Sequence, residues 1–273
     1  MIFLLLHIGG YMLAPNMDLR GFKELFRFDP TKALYVGVER ECFIVDATGV
    51  IVPEAVRVLN AIAPFDKREQ VGYELSACQV EHRTGPCRIE GLCDELVATD
   101  AILARGLETL PYDIRYDEIA PESMPLDVFP DPTGRYQRIV SEMPVDILRA
   151  ACRVTGTHIH IGMPDHETAL AVYDRVVPHC DVLARLGDRS GGERLRVYAA
   201  VATRTRPVQY GSWQRFYEKA TAEGFADDPR RCWTLIRIST HGTLEFRMFG
   251  STAENGEIVS WAQTCRTLCE DAM

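Results

Sequence analysis

The sequence predicts an α+β fold in which a mainly antiparallel sheet is backed by helices. Three observations lead there. Residues 34–45 (LYVGVERECFIV) and 156–163 (GTHIHIGM) alternate with the period of two that a pleated strand imposes. Two further strand-like runs, 232–239 and 243–249, are separated only by Thr240, His241 and Gly242, a spacing that suits a tight antiparallel hairpin. Other stretches carry leucines at helical spacing, and a hydrophobic share of 47% over 273 residues supports a sizeable buried core. No repeat, low-complexity tract or clear linker divides the chain, so residues 17–273 read as one domain.

Taken in order, the first strand ends where Asp46 to Gly49 turn the chain. Residues 53–62 place Val56, Leu59 and Ile62 on one helical side, with Pro53 tolerated in the first turn. A short strand is expected over 79–84. Residues 89–110 carry Leu92, Leu96, Leu103, Leu107 and Leu110 and should form the longest helix. Residues 111–144 are rich in Pro, Asp and Met with little periodicity and read as a long surface excursion. After the strand 156–163, Asp165 is placed to cap a helix that begins near His166. The last helix is expected over 256–269, where Ile258 and Trp261 offer a face for packing between subunits of a homo-oligomer.

Charge and cysteine content narrow the partners. With 30 basic and 39 acidic residues the chain carries a net charge of -9, which disfavours broad contact with nucleic acid or anionic membrane and favours small-molecule partners. Nine cysteines without CxxC pairs do not form a secreted disulfide framework, and a cytoplasmic location is expected. Residues 1–16 are a mainly apolar extension. It lacks the cationic start of a signal peptide, is too short to span a bilayer, and leaves Met12 or Met17 as alternative natural starts.

The chemistry is suggested by a repeated pattern. Glu39 and Glu41 lie two apart on the first strand, so both carboxylates leave one face while Val38, Arg40 and Cys42 leave the other. The spacing recurs in Gln79 and Glu81 (QVEHRT), in His158 and His160 (THIHIG), and in Glu245 and Arg247 (TLEFR). One such pair has an ordinary explanation as a solvated or ion-paired surface. Four strands that each present two polar side chains on one face point instead to a divalent cation. Carboxylates with one or two imidazoles suit magnesium or manganese better than zinc, which would draw on cysteine or more histidine.

The basic residues include only four lysines, leaving 26 arginines, and Arg189, Arg194, Arg196, Arg204, Arg206, Arg237 and Arg247 cluster late. Arginine binds phosphate and carboxylate in bidentate fashion, and Arg237 and Arg247 adjoin Glu245. No Walker-type loop, GxGxxG fingerprint or GxSxG elbow is present, although Gly191-Gly192 in DRSGGER offers a flexible turn for phosphate contact. No Cys/His arrangement identifies a nucleophile, and Cys42, Cys78 and Cys265 read as small core residues.

These residues resemble glutamate–cysteine ligase family 2, the bacterial carboxylate–amine ligases. GVERECFIVD resembles the family's opening strand, QVEHRT its second acidic strand, GTHIHIGMPD its histidine strand and helix cap, and W-x-x-x-R followed by TLEFR its closing strands. The motifs stand in the family's order across residues 34–270. The resemblance implies a curved, glutamine synthetase-like sheet forming an open half-barrel with ATP and metal ions inside. It implies Glu39, Glu41, Glu81, His158 and Glu245 as metal ligands and Arg237 and Arg247 as catalytic groups facing phosphate or substrate, with Gln79 and His160 completing the cofactor contacts. The chain departs from the family after the closing strands, where members continue through a further helical stretch and this sequence stops at Met273. The segment LARLGDRSGGERLRVYAA also echoes the family only loosely, which places the expected differences in the substrate pocket.

The function that follows is ATP-dependent joining of a carboxylate to an amine, both expected to be amino acids, through an acyl phosphate. A guanidino-kinase-like phosphotransferase would stop at the phosphorylated product. A metal-dependent hydrolase built on His158 and His160 would work without ATP. A degenerate domain would bind nucleotide or amino acid without turnover.

Overall fold

The structure, a computed structural model, describes residues 17–141, 143–201 and 205–273. The alternative starts at or before residue 16 and the expected role of Arg204 lie outside these residues. Among the described residues, seven strands form one open antiparallel sheet: β1 Val36–Asp46, β2 Val71–Tyr73, β3 Gln79–Arg83, β4 Tyr112–Arg115, β5 Gly156–Gly162, β6 Ile236–Ser239 and β7 Thr243–Gly250. Their order is β2-β3-β1-β5-β7-β6, with β4 paired to the far end of β1. The antiparallel sheet expected from the sequence is present and does not close.

The described helices are α1 Leu19–Glu24, α2 Ala55–Ile62, α3 Leu92–Leu107, α4 Arg135–Ser141, α5 Val145–Arg153, α6 His166–Val176, α7 Cys180–Leu186, α8 Glu193–Val201, α9 Trp213–Ala222 and α10 Asn255–Asp271. Asp165 caps α6 as expected, its carboxylate accepting from the Thr168 amide at 2.9 Å. Two expectations are corrected. The longest described helix is α10 with 17 residues, not α3 with 16, because a 3₁₀ turn takes up residues 89–91 and the helix ends before Leu110. The excursion 111–144 carries two short elements, β4 near its start and α4 toward its end, both too short for their periodicity to stand out.

Alternation along each strand separates the two faces of the sheet. Val36, Val38, Ile159, Ile161, Leu244 and Phe246 join the main core, against which α3, α6 and α10 pack. Burial of these aliphatic and aromatic side chains is the main stabilising term, worth about 25 cal/mol per Å² removed from water. Cys42 and Ile44 continue this face into a second cluster with Ala55, Val58 and Ile62 of α2. On the opposite face, among the described residues, Phe43 and Val45 of β1 are covered by apolar groups, with Ala120, Met124 and Cys152. The rest of that face carries the polar pairs.

Arg40 interrupts the apolar pattern of the helical face. It is 1% exposed, and its guanidinium donates to His82 Nε2 and Asn255 Oδ1, each at 2.9 Å, and pairs with Asp100. One buried cation therefore ties β1 to β3, α3 and α10, directly behind the two glutamates that flank it in sequence.

Candidate active site

Strand register brings the four sequence pairs side by side. Glu41 stands opposite Glu81, Glu39 opposite His158, His160 opposite Glu245, and Glu245 opposite Arg237. Because neighbouring strands lie about 4.8 Å apart, residues far separated in sequence become direct neighbours. His158 Nδ1 lies 3.4 Å from Glu39 Oε2, and His158 Nε2 lies 3.6 Å from Glu41 Oε1. His160 Nε2 lies 3.5 Å from Glu39 Oε2, while its Nδ1 meets Thr243 Oγ1 at 2.8 Å.

Glu245 is held by two arginines. Arg237 grips it in a fork, Nε to Oε2 at 2.6 Å and Nη2 to Oε1 at 2.9 Å, and Arg247 pairs with the same carboxylate. Between Thr157 and Ile159 the pairing of β5 with β7 slips, so that Arg247 and Met248 together face His158. A bulge of this kind bends a strand and re-aims its side chains. The strictly alternating TLEFR pattern gave no sign of it.

Two groups of potential ligand atoms result, each gathered within 4.8 Å: Glu39, His158 and Glu245, and Glu41, Glu81 and His158. Charge distribution supports a cation there. Burial pushes Glu41 up, and burial together with the charges of Glu39, Glu74 and Glu41 raises Glu81 well above the usual carboxylate range. Burial works in the same direction on Glu39, but the charges of His160 and His158 and their hydrogen bonds hold it well below that range. Glu245 is likewise held low, against its burial, by Arg237 and Arg247. His160 is 8% exposed, and the one partner of its Nε2 among the described residues is the Glu39 carboxylate at 3.5 Å. Crowded, buried carboxylates with raised proton affinity, gathered around His158, fit a hard divalent cation, which prefers oxygen donors.

Two cavities open onto this face. One, of about 240 Å³, has the acidic strands as its floor, Arg237 and Arg247 beside them, and Arg135, Tyr136 and Trp233 on its outer wall. The other, of about 410 Å³, runs past Gly37 and Tyr35 toward Arg27, Lys32 and Arg83. They share three lining residues: Glu39, His160 and His241.

Of the residues singled out from sequence, Glu39, Glu41, Glu81, His158, His160, Arg237, Glu245 and Arg247 all line the first cavity. Gln79 does not. Its amide donates to the Cys152 and Val154 carbonyls at 3.0 and 3.1 Å, which ties β3 to the end of α5. Gly191 and Gly192 line neither cavity and belong to a turn closed by Asp188. Arg194 is buried, donating to the Thr155 and Met248 carbonyls, and Arg206 pairs with Asp181. Sequence reasoning missed Glu74, which lines the first cavity and is pushed up by burial. It follows a strand of three residues, too short to display alternation, and the only available signal was a lone carboxylate seven positions before Glu81. Arg135, Tyr136 and His241 were also missed as lining groups.

The fold is similar to that of solved structures of the glutamine synthetase-like kind. A bifunctional glutathione synthetase from Pasteurella multocida superposes with a TM-score of 0.56 at 13% identity, covering 93% of this chain and 43% of that one. Glutamine synthetase from Plasmodium falciparum gives 0.50 at 11% identity, covering 88% of this chain and 52% of its own. At such identities the likeness concerns the fold. The family model for glutamate-cysteine ligase family 2 matches residues 35–190, and the chain belongs to that family. Among curated relatives, a Rubrobacter xylanophilus protein provisionally named glutamate–cysteine ligase 2-1 is 25% identical over 86% of this chain and 65% of its own length. A Leifsonia xyli protein provisionally named glutamate–cysteine ligase 2 is 26% identical over 90% and 69%. The chain thus spans about two thirds of the length of these relatives. Among the described residues, no helix is long and apolar enough to cross a membrane.

Proposed function

We propose that this chain carries the catalytic sheet of an ATP-dependent carboxylate–amine ligase that works through an acyl phosphate. One observation supports this most: two cavities meet at Glu39, His160 and His241, directly beside two carboxylate–imidazole clusters. A reaction that brings a nucleotide and an organic carboxylate together at a cation suits that arrangement. The larger cavity, with Arg27, Lys32 and Arg83 along its wall, suits the polyphosphate of ATP, and the smaller suits the carboxylate and the amine.

Glu39, Glu41, Glu81, His158 and Glu245, joined by Glu74, would hold magnesium or manganese. Such ions, when bound, neutralise charge on the phosphoryl group in transfer. Arg247 and Arg237 are the catalytic arginines. Fixed by Glu245, they present positive charge to the transferred group without reorganising during the reaction. His160 adds a further donor. Burial works against its protonation, but the charges of Glu39 and Glu245 raise it above the usual imidazole range. The carboxylate oxygen attacks the γ-phosphorus of ATP, ADP leaves, and the amine then displaces phosphate to form an amide. Glutamate and cysteine, which the relatives' names carry, are the first substrates to try.

The reading is tested by ADP release from purified protein with magnesium and pooled amino acids. ADP that requires both the metal and an amino-acid carboxylate is expected. Bound ATP without turnover would favour a binding domain, and a phosphorylated guanidine without amide would favour a phosphotransferase.

A further inference from the structure

We propose that His241 is the general base that takes a proton from the incoming amine. This rests on the ligase reading and assigns a group to its second step. At neutral pH most amines are ammonium ions without a lone pair, so a ligase that uses them needs a proton acceptor where nucleophile and acyl group meet. The two cavities place that meeting point, because Glu39, His160 and His241 line both. Glu39 is engaged with His158 and His160, and His160 is nine-tenths buried, bonded to Thr243 and paired with Glu39, and already assigned as a donor. His241 has neither commitment. Its ring makes no hydrogen bond and no ion pair among the described residues, and it is exposed to the cleft.

Its position is fixed by the backbone. The tip of the β6–β7 hairpin is pinned by the Arg27 amide to the Thr240 carbonyl at 3.1 Å and the Met163 amide to the Gly242 carbonyl at 3.0 Å. Gly242 has φ +74°, and a Cβ there would lie 2.2 Å from the Arg27 carbonyl oxygen, so the tip fits closely against that segment. His241 is therefore carried on a turn closed against its surroundings. The charged groups that face it are His160 on β5, Glu39 on β1, Glu245 on β7 and Arg237 on β6. Partial burial of the ring in the cleft and the charge of His160 lower its proton affinity below that of an ordinary imidazole.

The step balances. His241 takes one proton from the ammonium group, and the freed nitrogen lone pair forms the bond to the acyl carbon. The carbon–oxygen bond to phosphate breaks, its electron pair leaving on phosphate, which takes the second N–H proton. His241 then returns its proton to water.

Hydroxylamine separates a base from a structural role, because it is largely unprotonated at neutral pH and needs no base. Wild type and His241→Gln are compared with ATP, magnesium and pooled amino acids, once alone and once with hydroxylamine, reading ADP and the ferric-hydroxamate colour. The expected result is a loss of about 100-fold in ADP release with the pool alone, the low end of what general bases contribute, while hydroxamate formation stays within about threefold. The wild-type rate with the pool should also fall toward acid pH with a limb that hydroxylamine removes. An equal loss with both nucleophiles would make His241 structural and overturn the proposal, as would no loss with either. A wild type that forms no hydroxamate would instead remove the ligase reading beneath it.

Discussion

Glu81 concentrates the tension in the site at the scale of single residues. Its folded-state affinity for protons is raised well above the usual value by burial and three neighbouring carboxylates, and Glu41 and Glu74 are raised too. A raised carboxylate binds more protons folded than unfolded, so its contribution to stability is present below the unfolded value of about 4.3 and is lost as pH rises through the folded value. Glu39 and Glu245, held low, act in the opposite sense and lose their contribution only as pH falls below the ordinary range. Without metal, urea stability should therefore decline from about pH 5 upward, and Glu81→Gln should flatten that decline. Since a cation needs these groups deprotonated, manganese should raise the melting temperature more at pH 8 than at pH 6, and this difference should shrink in Glu81→Gln. A metal effect independent of pH would contradict this. Glu39→Gln and Glu245→Gln should each lower ATP turnover by about 100-fold or more, as expected for groups that fix charge at a reacting centre; unchanged turnover in both would remove these residues from the site. The strand-borne residues were legible because alternation reveals which side chains share a face. Gln79 had the right parity, yet parity does not tell whether a side chain reaches a cavity or bonds to backbone, and Glu74 and His241 lie outside any alternating run.

The elements differ in how much of their placement a sequence carries. β1 and β5 are central and long, β5 alternates strictly and β1 does so through Glu41, and their pattern was readable. β2 has three residues, β4 has four, and both pair with a single neighbour, so long-range pairing fixes them more than local pattern does. The anchoring of β1 was invisible for a related reason: the partners of Arg40 come from β3, α3 and the start of α10. Arg40→Met should cost about 3 kcal/mol in urea unfolding, the scale for breaking a buried charge network. A change within about 0.5 kcal/mol, the range of neutral surface substitutions, would show that the network is not an anchor.

At the scale of the whole molecule, the sheet separates two tasks. One face meets the helices and supplies the core, and the other carries carboxylates, imidazoles and arginines into a cleft of two compartments. The α+β class and the antiparallel sheet were readable because they follow from period and turn length. The compartments were not, since their outer walls come from α4, the segment before α5 and the loop before β6, where spacing says little about approach. The central claim is that a carboxylate oxygen attacks phosphorus and later departs with it. Amino acids labelled with ¹⁸O in their carboxylates, supplied with ATP and magnesium, test it directly by mass spectrometry of the released phosphate. The account predicts one labelled oxygen per phosphate. Unlabelled phosphate released with ADP would mean that water, not the carboxylate, attacks ATP, and would contradict it.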